Sequence, residues 1–140
     1  MKRVINILLV EDDSLDAIDL QRTLDRMGVL YKMKVAKNGE DGIKLLSEDD
    51  HPLFSGKPDI LLLDLNMPRM NGIEFLEAIR SNDDWKDIKV FVLTTSDETE
   101  DKKETRSLGI SGFITKPLKL SNPGSIDAFN LMIDIMNMQN

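Results

Sequence analysis

The stretch Ile60–Asp64, ILLLD, decides the fold, because it is an unbroken apolar run that ends in a carboxylate. A second run, Val90–Leu93, has the same character and is followed by Thr94. Near-continuous apolar runs of this length are typical of strands buried on both faces, as in parallel sheets that helices cover on both sides. The two runs therefore predict the centre of a parallel sheet.

Three further apolar runs, at residues 4–10, 31–36 and 112–114, complete a set of five predicted strands. Tyr31–Val35 alternates between apolar and charged residues, so we expect it at the edge of the sheet. The segment Ser47–Pro58 shows no regular pattern and is predicted to be a surface loop. Amphipathic helical patterns separate the runs, and residues that favour helix starts or ends flank them: Ser14 and Gly28, Asn38, Asn71, Asp97 and Gly109, and Pro123.

Strict alternation of strands and helices with short links predicts an α/β fold, a doubly wound five-stranded parallel sheet of the form (βα)5. A length of 140 residues corresponds to one domain, so we expect residues 1–140 to form a single domain without an output domain. The absence of cysteine excludes disulfides and thiolate metal sites. The formal net charge of −7 argues against nucleic acid as a partner, and no apolar run is long enough to span a membrane, so we expect a cytoplasmic protein.

Polar side chains follow four of the five predicted strands, at the point where each strand ends. Glu11 and Asp12 follow the first strand, Asp64 the third, Thr94 the fourth and Lys116 the fifth. Ligands of open α/β sheets bind beyond the carboxyl ends of the strands, so these side chains are expected to meet at one crevice. Clustered carboxylates repel one another unless a cation binds, and an all-oxygen set without His or Cys suits a hard cation such as Mg²⁺. A carboxylate in such a crevice can also act as a nucleophile toward phosphorus.

In their order along the chain, these motifs resemble those of the receiver domain of bacterial response regulators. Leu8–Asp13 is similar to the acidic motif after the first strand, and Leu62–Pro68 is similar to the phosphoacceptor motif. Val92–Thr95 resembles the strand that carries the switch hydroxyl, and Phe113–Pro117 resembles the closing Lys-Pro motif. The resemblance covers nearly the whole chain and implies a flavodoxin-like receiver fold of the stand-alone, single-domain type.

The resemblance also implies a role for each residue of the acidic site. Asp64 is expected to be the phosphoacceptor, with Lys116 bonded to the phosphoryl oxygens. Mg²⁺ is expected to be held directly by Asp12 and Asp64, through water by Glu11, and by the backbone carbonyl of Asn66.

A switch is implied by the resemblance as well. Thr94 would move toward the phosphoryl group, and Phe113 would rotate into the space that Thr94 leaves. This would couple the site to the face built from the fourth helix, the fifth strand and the fifth helix, the α4-β5-α5 surface. The Lys116-Pro117 peptide bond is expected to be cis. The sequence departs from the family pattern in that Phe113 has no hydroxyl group and Thr95 is branched where a small residue is common.

The implied partner is a sensor histidine kinase or a phosphotransfer protein, and the chain would be a signalling phosphoacceptor that assists its own phosphotransfer and autodephosphorylation, not an enzyme. Two alternatives stay open: a receiver-like adaptor that works without phosphorylation, and an aspartate-nucleophile phosphohydrolase, which would need an acid where Asn66 stands. A homodimer is also possible, because the last helix has more apolar residues than one buried stripe requires: Ile126, Phe129, Leu131, Met132, Ile133, Ile135, Met136 and Met138.

Overall fold

The structure is a computed structural model that describes residues 4–48, 50–65, 70–94, 99–117, 122, 127 and 129–134. The strands are β1 Ile5–Val10, β2 Tyr31–Ala36, β3 Ile60–Asp64, β4 Lys89–Thr94 and β5 Gly112–Thr115. The helices are α1 Ser14–Arg26, α2 Gly39–Ser47, α3 Gly72–Arg80 and α4 Thr99–Ser107, and residues 129–134 are helical and are called α5.

All five strands are parallel and lie in the order β2-β1-β3-β4-β5. This order confirms the predicted doubly wound α/β fold, and it confirms that Tyr31–Ala36 is an edge strand. The chain reverses its direction of winding between β1 and β3. The carboxyl ends of these two neighbouring strands therefore form the topological switch point at which such sheets bind ligands.

Alternate residues of each central strand pack into different layers, as the strand period of two requires. Leu62 and Phe91 are fully buried on the side of α1 and α5, where they meet Leu24 and Phe129. Leu63 and its neighbours on the other side pack against α2 and α3. Full burial of each such side chain stabilises the fold by roughly 1.5–3 kcal/mol. Because both faces of the central strands are buried in this way, their sequences are continuous apolar runs.

The helix starts are set by side-chain caps. Asn38 and Asn71 cap α2 and α3 as predicted, each accepting a backbone hydrogen bond from the first turn. Both Ser14 and Asp13 are residues that can cap α1, and the structure has Asp13 as the cap: its Oδ1 accepts from the backbone N–H of Leu15 at 2.9 Å and of Asp16 at 3.3 Å.

The predicted helix ends at glycine are confirmed, with φ of 72° at Gly28 and 73° at Gly109. The predicted helix starts at Asp97 and Pro123 lie outside the described residues. Between α2 and β3 the described residues form no helix or strand, as predicted, but Phe54 of this loop is buried.

Candidate functional site

The site is built where β1 and β3 end side by side. In the parallel register Val10 pairs with Leu63, so the next residues, Glu11 and Asp64, lie at the same level of the sheet edge. The backbone N–H of Glu11 donates to the carbonyl of Ala36 at 2.9 Å, which continues the pairing of β1 with β2 by one residue. The backbone of Glu11 is therefore held in place by the same kind of hydrogen bond as a strand residue.

Three carboxylates meet at this edge. One oxygen from each of Glu11, Asp12 and Asp64 can be chosen so that the three lie within 4.8 Å of one another. Glu11 is 2% exposed and Asp64 is 5% exposed, whereas Asp12 is exposed to solvent. Two buried carboxylates beside a third are unfavourable when all are ionised, because burial and mutual repulsion both disfavour the charged forms.

Glu11 shows this cost directly. Burial, followed by a hydrogen bond and repulsion from Asp64, raises the pKa of the Glu11 carboxyl from 4.5 to about 8, although the Lys116 ammonium opposes the rise. Its Oε1 accepts from the backbone N–H of Asp13 at 3.2 Å. Its Oε2 is 3.1 Å from Lys116 Nζ but accepts no aligned hydrogen bond from any described residue.

Lys116 enters the site from the end of β5. Its backbone N–H donates to the carbonyl of Thr94 at 2.8 Å, and the Lys116-Pro117 peptide is cis, as predicted. Asn122 contacts both sides of Lys116, because its Nδ2 donates to the carbonyls of Thr115 at 3.1 Å and Pro117 at 3.0 Å.

The Lys116 ammonium lies among carboxylates. Its Nζ is 3.6 Å from Asp64 Oδ2, 3.1 Å from Glu11 Oε2 and 2.9 Å from Asp16 Oδ2. Burial lowers the pKa of Lys116, but the hydrogen bond to Asp16 and the charges of Asp64 and Glu11 outweigh it and hold the pKa above its ordinary value. Lys116 is therefore a fixed positive charge beside Asp64.

Asp16 was missed by the sequence analysis. It lies in the first turn of α1, immediately after the acidic motif, and its Oδ2 accepts the hydrogen bond from Lys116 Nζ. The available signal was its place in the first turn of a helix that starts at the acidic motif, which keeps its side chain near the site.

Thr94 and Phe113 lie on neighbouring strands and on the same face of the sheet. Thr94 is the last residue of β4 and is 2% exposed. Val92, two residues before Thr94, pairs with Phe113 of β5, so the strand period directs all three toward the layer of α3 and α4. Phe113 is half-buried, and the guanidinium of Arg106 in α4 lies 5.4 Å from its ring centroid. Asn66, the remaining predicted site residue, lies outside the described residues.

The donor set fits Mg²⁺. All candidate ligands of the cluster are carboxylate oxygens, which hard cations prefer. The buried Glu11 Oε2, which accepts no aligned hydrogen bond from a described residue, is an oxygen that a cation can satisfy. A bound cation would favour the ionised form of Glu11, whose pKa is raised by burial and by Asp64.

Fold and site together define a flavodoxin-like α/β protein with a carboxylate pocket and a lysine at the carboxyl edge of its sheet. The family model of the response regulator receiver domain matches residues 7–122. The chain therefore belongs to the response regulator receiver domain family, the class of domain that works in two-component signalling, and receivers of this family interact with histidine kinases or phosphotransfer proteins.

The relatives agree with this assignment. The chain is 33% identical over 116 residues to the response regulator Rcp1 of Synechocystis sp., covering 83% of this chain and 79% of Rcp1. It spans about half the length of several other relatives, at 45–46%. The structure of Rcp1 in its Mn²⁺-bound form matches with a TM-score of 0.73 and 31% identity, covering 94% of this chain and 91% of that one.

Two further solved structures cover nearly the whole chain. The bacteriophytochrome response regulator AtBRR matches with a TM-score of 0.78 and 28% identity, over 96% of this chain and 94% of that one. The phosphorylated cyanobacterial phytochrome response regulator RcpA matches with a TM-score of 0.74 and 28% identity, over 95% of this chain and 91% of that one. Within the described part of this chain, we find no helix with the length and hydropathy that a membrane span requires.

Proposed function

We propose that the chain accepts a phosphoryl group on Asp64 from a histidine kinase or phosphotransfer protein, in the presence of Mg²⁺, and reports it through the α4-β5-α5 surface. The observation that carries the proposal is the convergence of Glu11, Asp12 and Lys116 on the buried carboxylate of Asp64. The Mn²⁺-bound form of Rcp1 and the phosphorylated form of RcpA support it by similarity.

Asp64 is the nucleophile in this proposal. One carboxylate oxygen forms a bond to phosphorus while the bond between phosphorus and the donor atom breaks, and the electron pair of that bond leaves with the donor. The donor atom is the imidazole nitrogen of a phosphohistidine, or the acetate oxygen when acetyl phosphate is used. The low exposure of Asp64, 5%, limits the number of water molecules that can reach the acyl phosphate.

Lys116 supplies the fixed positive charge for this transfer. Its Nζ is 3.6 Å from Asp64 Oδ2, so it is within reach of oxygens on a phosphoryl group attached there. Negative charge spreads over the phosphoryl oxygens during transfer, and a preorganised ammonium stabilises it without having to reorganise. Lys116 is 17% exposed, which strengthens this interaction relative to water.

Glu11, Asp12 and Asp64 would hold the metal ion, with the backbone carbonyl of Asn66 as the fourth expected protein ligand. When bound, Mg²⁺ neutralises charge on the carboxylates and on the phosphoryl oxygens. The buried Glu11 carboxylate is the group that gains most from this, because its ionised form is disfavoured by burial and by Asp64.

The readout uses Thr94 and Phe113. Both side chains lie on the sheet face toward α3 and α4, so a shift of the Thr94 hydroxyl toward the phosphoryl group opens space on the side where Phe113 packs. Arg106 lies over the Phe113 ring, so rotation of the ring changes a contact with α4. In this proposal the chain is a signalling phosphoacceptor that assists its own phosphotransfer and dephosphorylation, and not an enzyme.

Acetyl phosphate labelling tests the proposal. Intact mass spectrometry of the wild-type protein with acetyl phosphate and Mg²⁺ is expected to show one added phosphoryl group, which is lost on addition of a chelator before labelling. Asp64→Asn is expected to abolish the added mass. The matched control is Asp59→Asn, which changes an aspartate next to the opposite end of β3, where its Oδ2 accepts from the backbone N–H of Asn6 at 2.8 Å. Undiminished labelling of Asp64→Asn would refute the assignment.

A further inference from the structure

We propose that Asp16 is the positioning residue for Lys116: it fixes the ammonium at the α1 edge of the site, so that the remaining N–H groups face Glu11 and Asp64. The inference deepens the proposed phosphoryl acceptance by Asp64 and rests on it. Among the described residues, Glu11, Asp12 and Asp64 form the compact cluster that could hold a metal ion, and Asp16 is not part of it. Its role is therefore different from that of the other three carboxylates.

The distances support a tether. Of the three carboxylates around Lys116 Nζ, Asp16 is the closest, at 2.9 Å, and it is the acceptor of an aligned hydrogen bond. Glu11 at 3.1 Å and Asp64 at 3.6 Å are at ion-pair distances. A lysine ammonium has three N–H donors, so one hydrogen bond to Asp16 leaves two donors for the site.

Asp16 itself is held in place by the start of α1. The Asp13 cap accepts from the backbone N–H of Asp16 at 3.3 Å, so the first turn is ordered by the residue that directly follows the acidic pair. The carboxylate of Asp16 is 25% exposed, whereas Glu11 is buried. The chain thus carries its Lys116 anchor on the same loop and helix that carry the proposed metal ligands.

A tether of this kind is needed because the other partners of Lys116 change state in the reaction. Glu11 and Asp64 would be committed to the cation, and Asp64 would lose its carboxylate charge when it becomes an acyl phosphate. Asp16 takes part in neither step. A lysine side chain without a fixed partner has large rotational freedom, and ordering it only at the moment of transfer would slow the reaction.

The first test measures Lys116 in the metal-free protein, where no phosphorylation is required. Trace acetylation with acetic anhydride, quantified by peptide mass spectrometry relative to the exposed Lys44, reports how well the partners of Lys116 protect its amine from the reagent. Asp16→Ala is expected to raise the relative reactivity of Lys116 at least about threefold, because a charge-assisted hydrogen bond is lost. Asp16→Asn is expected to give a smaller rise, because its carbonyl oxygen still accepts a hydrogen bond. Asp19→Ala, one turn further along α1, makes the same charge change and is expected to leave the reactivity unchanged.

The second test measures the rate of acetyl phosphate labelling for the same variants, with thermal melts to verify folding. Asp16→Ala is expected to label about 3- to 10-fold more slowly than wild type, and Asp19→Ala within about twofold of wild type. Equal Lys116 reactivity in Asp16→Ala and Asp19→Ala overturns the proposal. So does a rise in reactivity without slower labelling, because the position of Lys116 would then be irrelevant to transfer. If wild type takes up no phosphoryl group, the proposed function fails, and the reactivity ratio alone decides whether Asp16 holds Lys116.

Discussion

Replacing Glu11 by glutamine is expected to have different effects on the stability of the metal-free protein and of the protein with Mg²⁺. In the folded, metal-free protein the pKa of Glu11 is raised from 4.5 to about 8 by burial and by Asp64. A carboxyl whose folded pKa is raised takes up protons on folding, so the folded protein loses stability as the pH rises from 4.5 toward about 8. Above that range the ionised Glu11 destabilises the metal-free fold by its full amount. Glu11→Gln removes this ionisation and leaves an oxygen that can accept from the Asp13 N–H.

The size of the effect follows from the pKa. Each unit of pKa difference corresponds to about 1.4 kcal/mol, so ionised Glu11 destabilises the metal-free protein by something on the order of 2–5 kcal/mol. For a domain of this size the corresponding difference in Tm is roughly 5–15 °C. We therefore expect Glu11→Gln to melt above wild type at pH 8.5 in chelator and close to wild type at pH 5.

The assay is thermal unfolding followed by circular dichroism at several pH values, with a chelator and with Mg²⁺. Mg²⁺ is expected to narrow the difference at pH 8.5, because wild type gains a ligand interaction that Glu11→Gln has lost. Glu77→Gln on the exposed surface of α3 is the control and is expected to follow wild type at every pH. A Glu11→Gln variant that is no more stable than wild type at pH 8.5 in chelator, or equally shifted at pH 5 and pH 8.5, would refute the reasoning about the buried carboxylate.

Three other outcomes are expected. Mg²⁺ at ten times its dissociation constant is expected to stabilise wild type by about 1.4 kcal/mol, and a melt that does not respond to a chelator contradicts the metal site. Arg80→Lys is expected to destabilise the protein by about 2–3 kcal/mol in urea unfolding. The Arg80 guanidinium donates hydrogen bonds to the carbonyls of Leu108, Ile88 and two more residues, and a lysine cannot donate to all four. A loss of stability below about 0.5 kcal/mol contradicts this. Leu131 of α5 is 49% exposed, and if α5 joins two copies of the chain, phosphorylation is expected to raise the sedimentation coefficient. An unchanged coefficient excludes α5 as an association surface.

The strands were predictable from the sequence because apolar periodicity and turn residues act locally. Ile60–Asp64 and Val90–Leu93 are buried on both faces as their composition requires. Strand ends in a parallel sheet then meet at one edge whatever the detailed packing, so Glu11, Asp64 and Lys116 could be brought together without coordinates.

The errors and omissions depend on tertiary packing. Asp16 contacts Lys116 across a separation of 100 residues, and this contact depends on the rotation of α1 about its axis, which no local pattern determines. Lys34 of β2 has the position of an outward-facing residue in the alternating pattern, but it is 3% exposed. Phe54, in the loop between α2 and β3, covers it, with the ring centroid 4.2 Å from Lys34 Nζ. Asp13 and Ser14 are adjacent and both residue types can cap a helix, so only the structure shows that Asp13 caps α1.

The measurement that tests the central claim most directly is the location of the phosphoryl group. Wild-type protein labelled with acetyl phosphate and Mg²⁺ is treated with borohydride, which reduces an aspartyl phosphate to homoserine, and the modified residue is identified by peptide mass spectrometry. The account predicts homoserine at Asp64 and a yield that falls to background in chelator. Homoserine at Asp12 or another aspartate, the longer reduced product hydroxynorvaline at Glu11, or a yield at Asp64 that is indifferent to the metal, would contradict it.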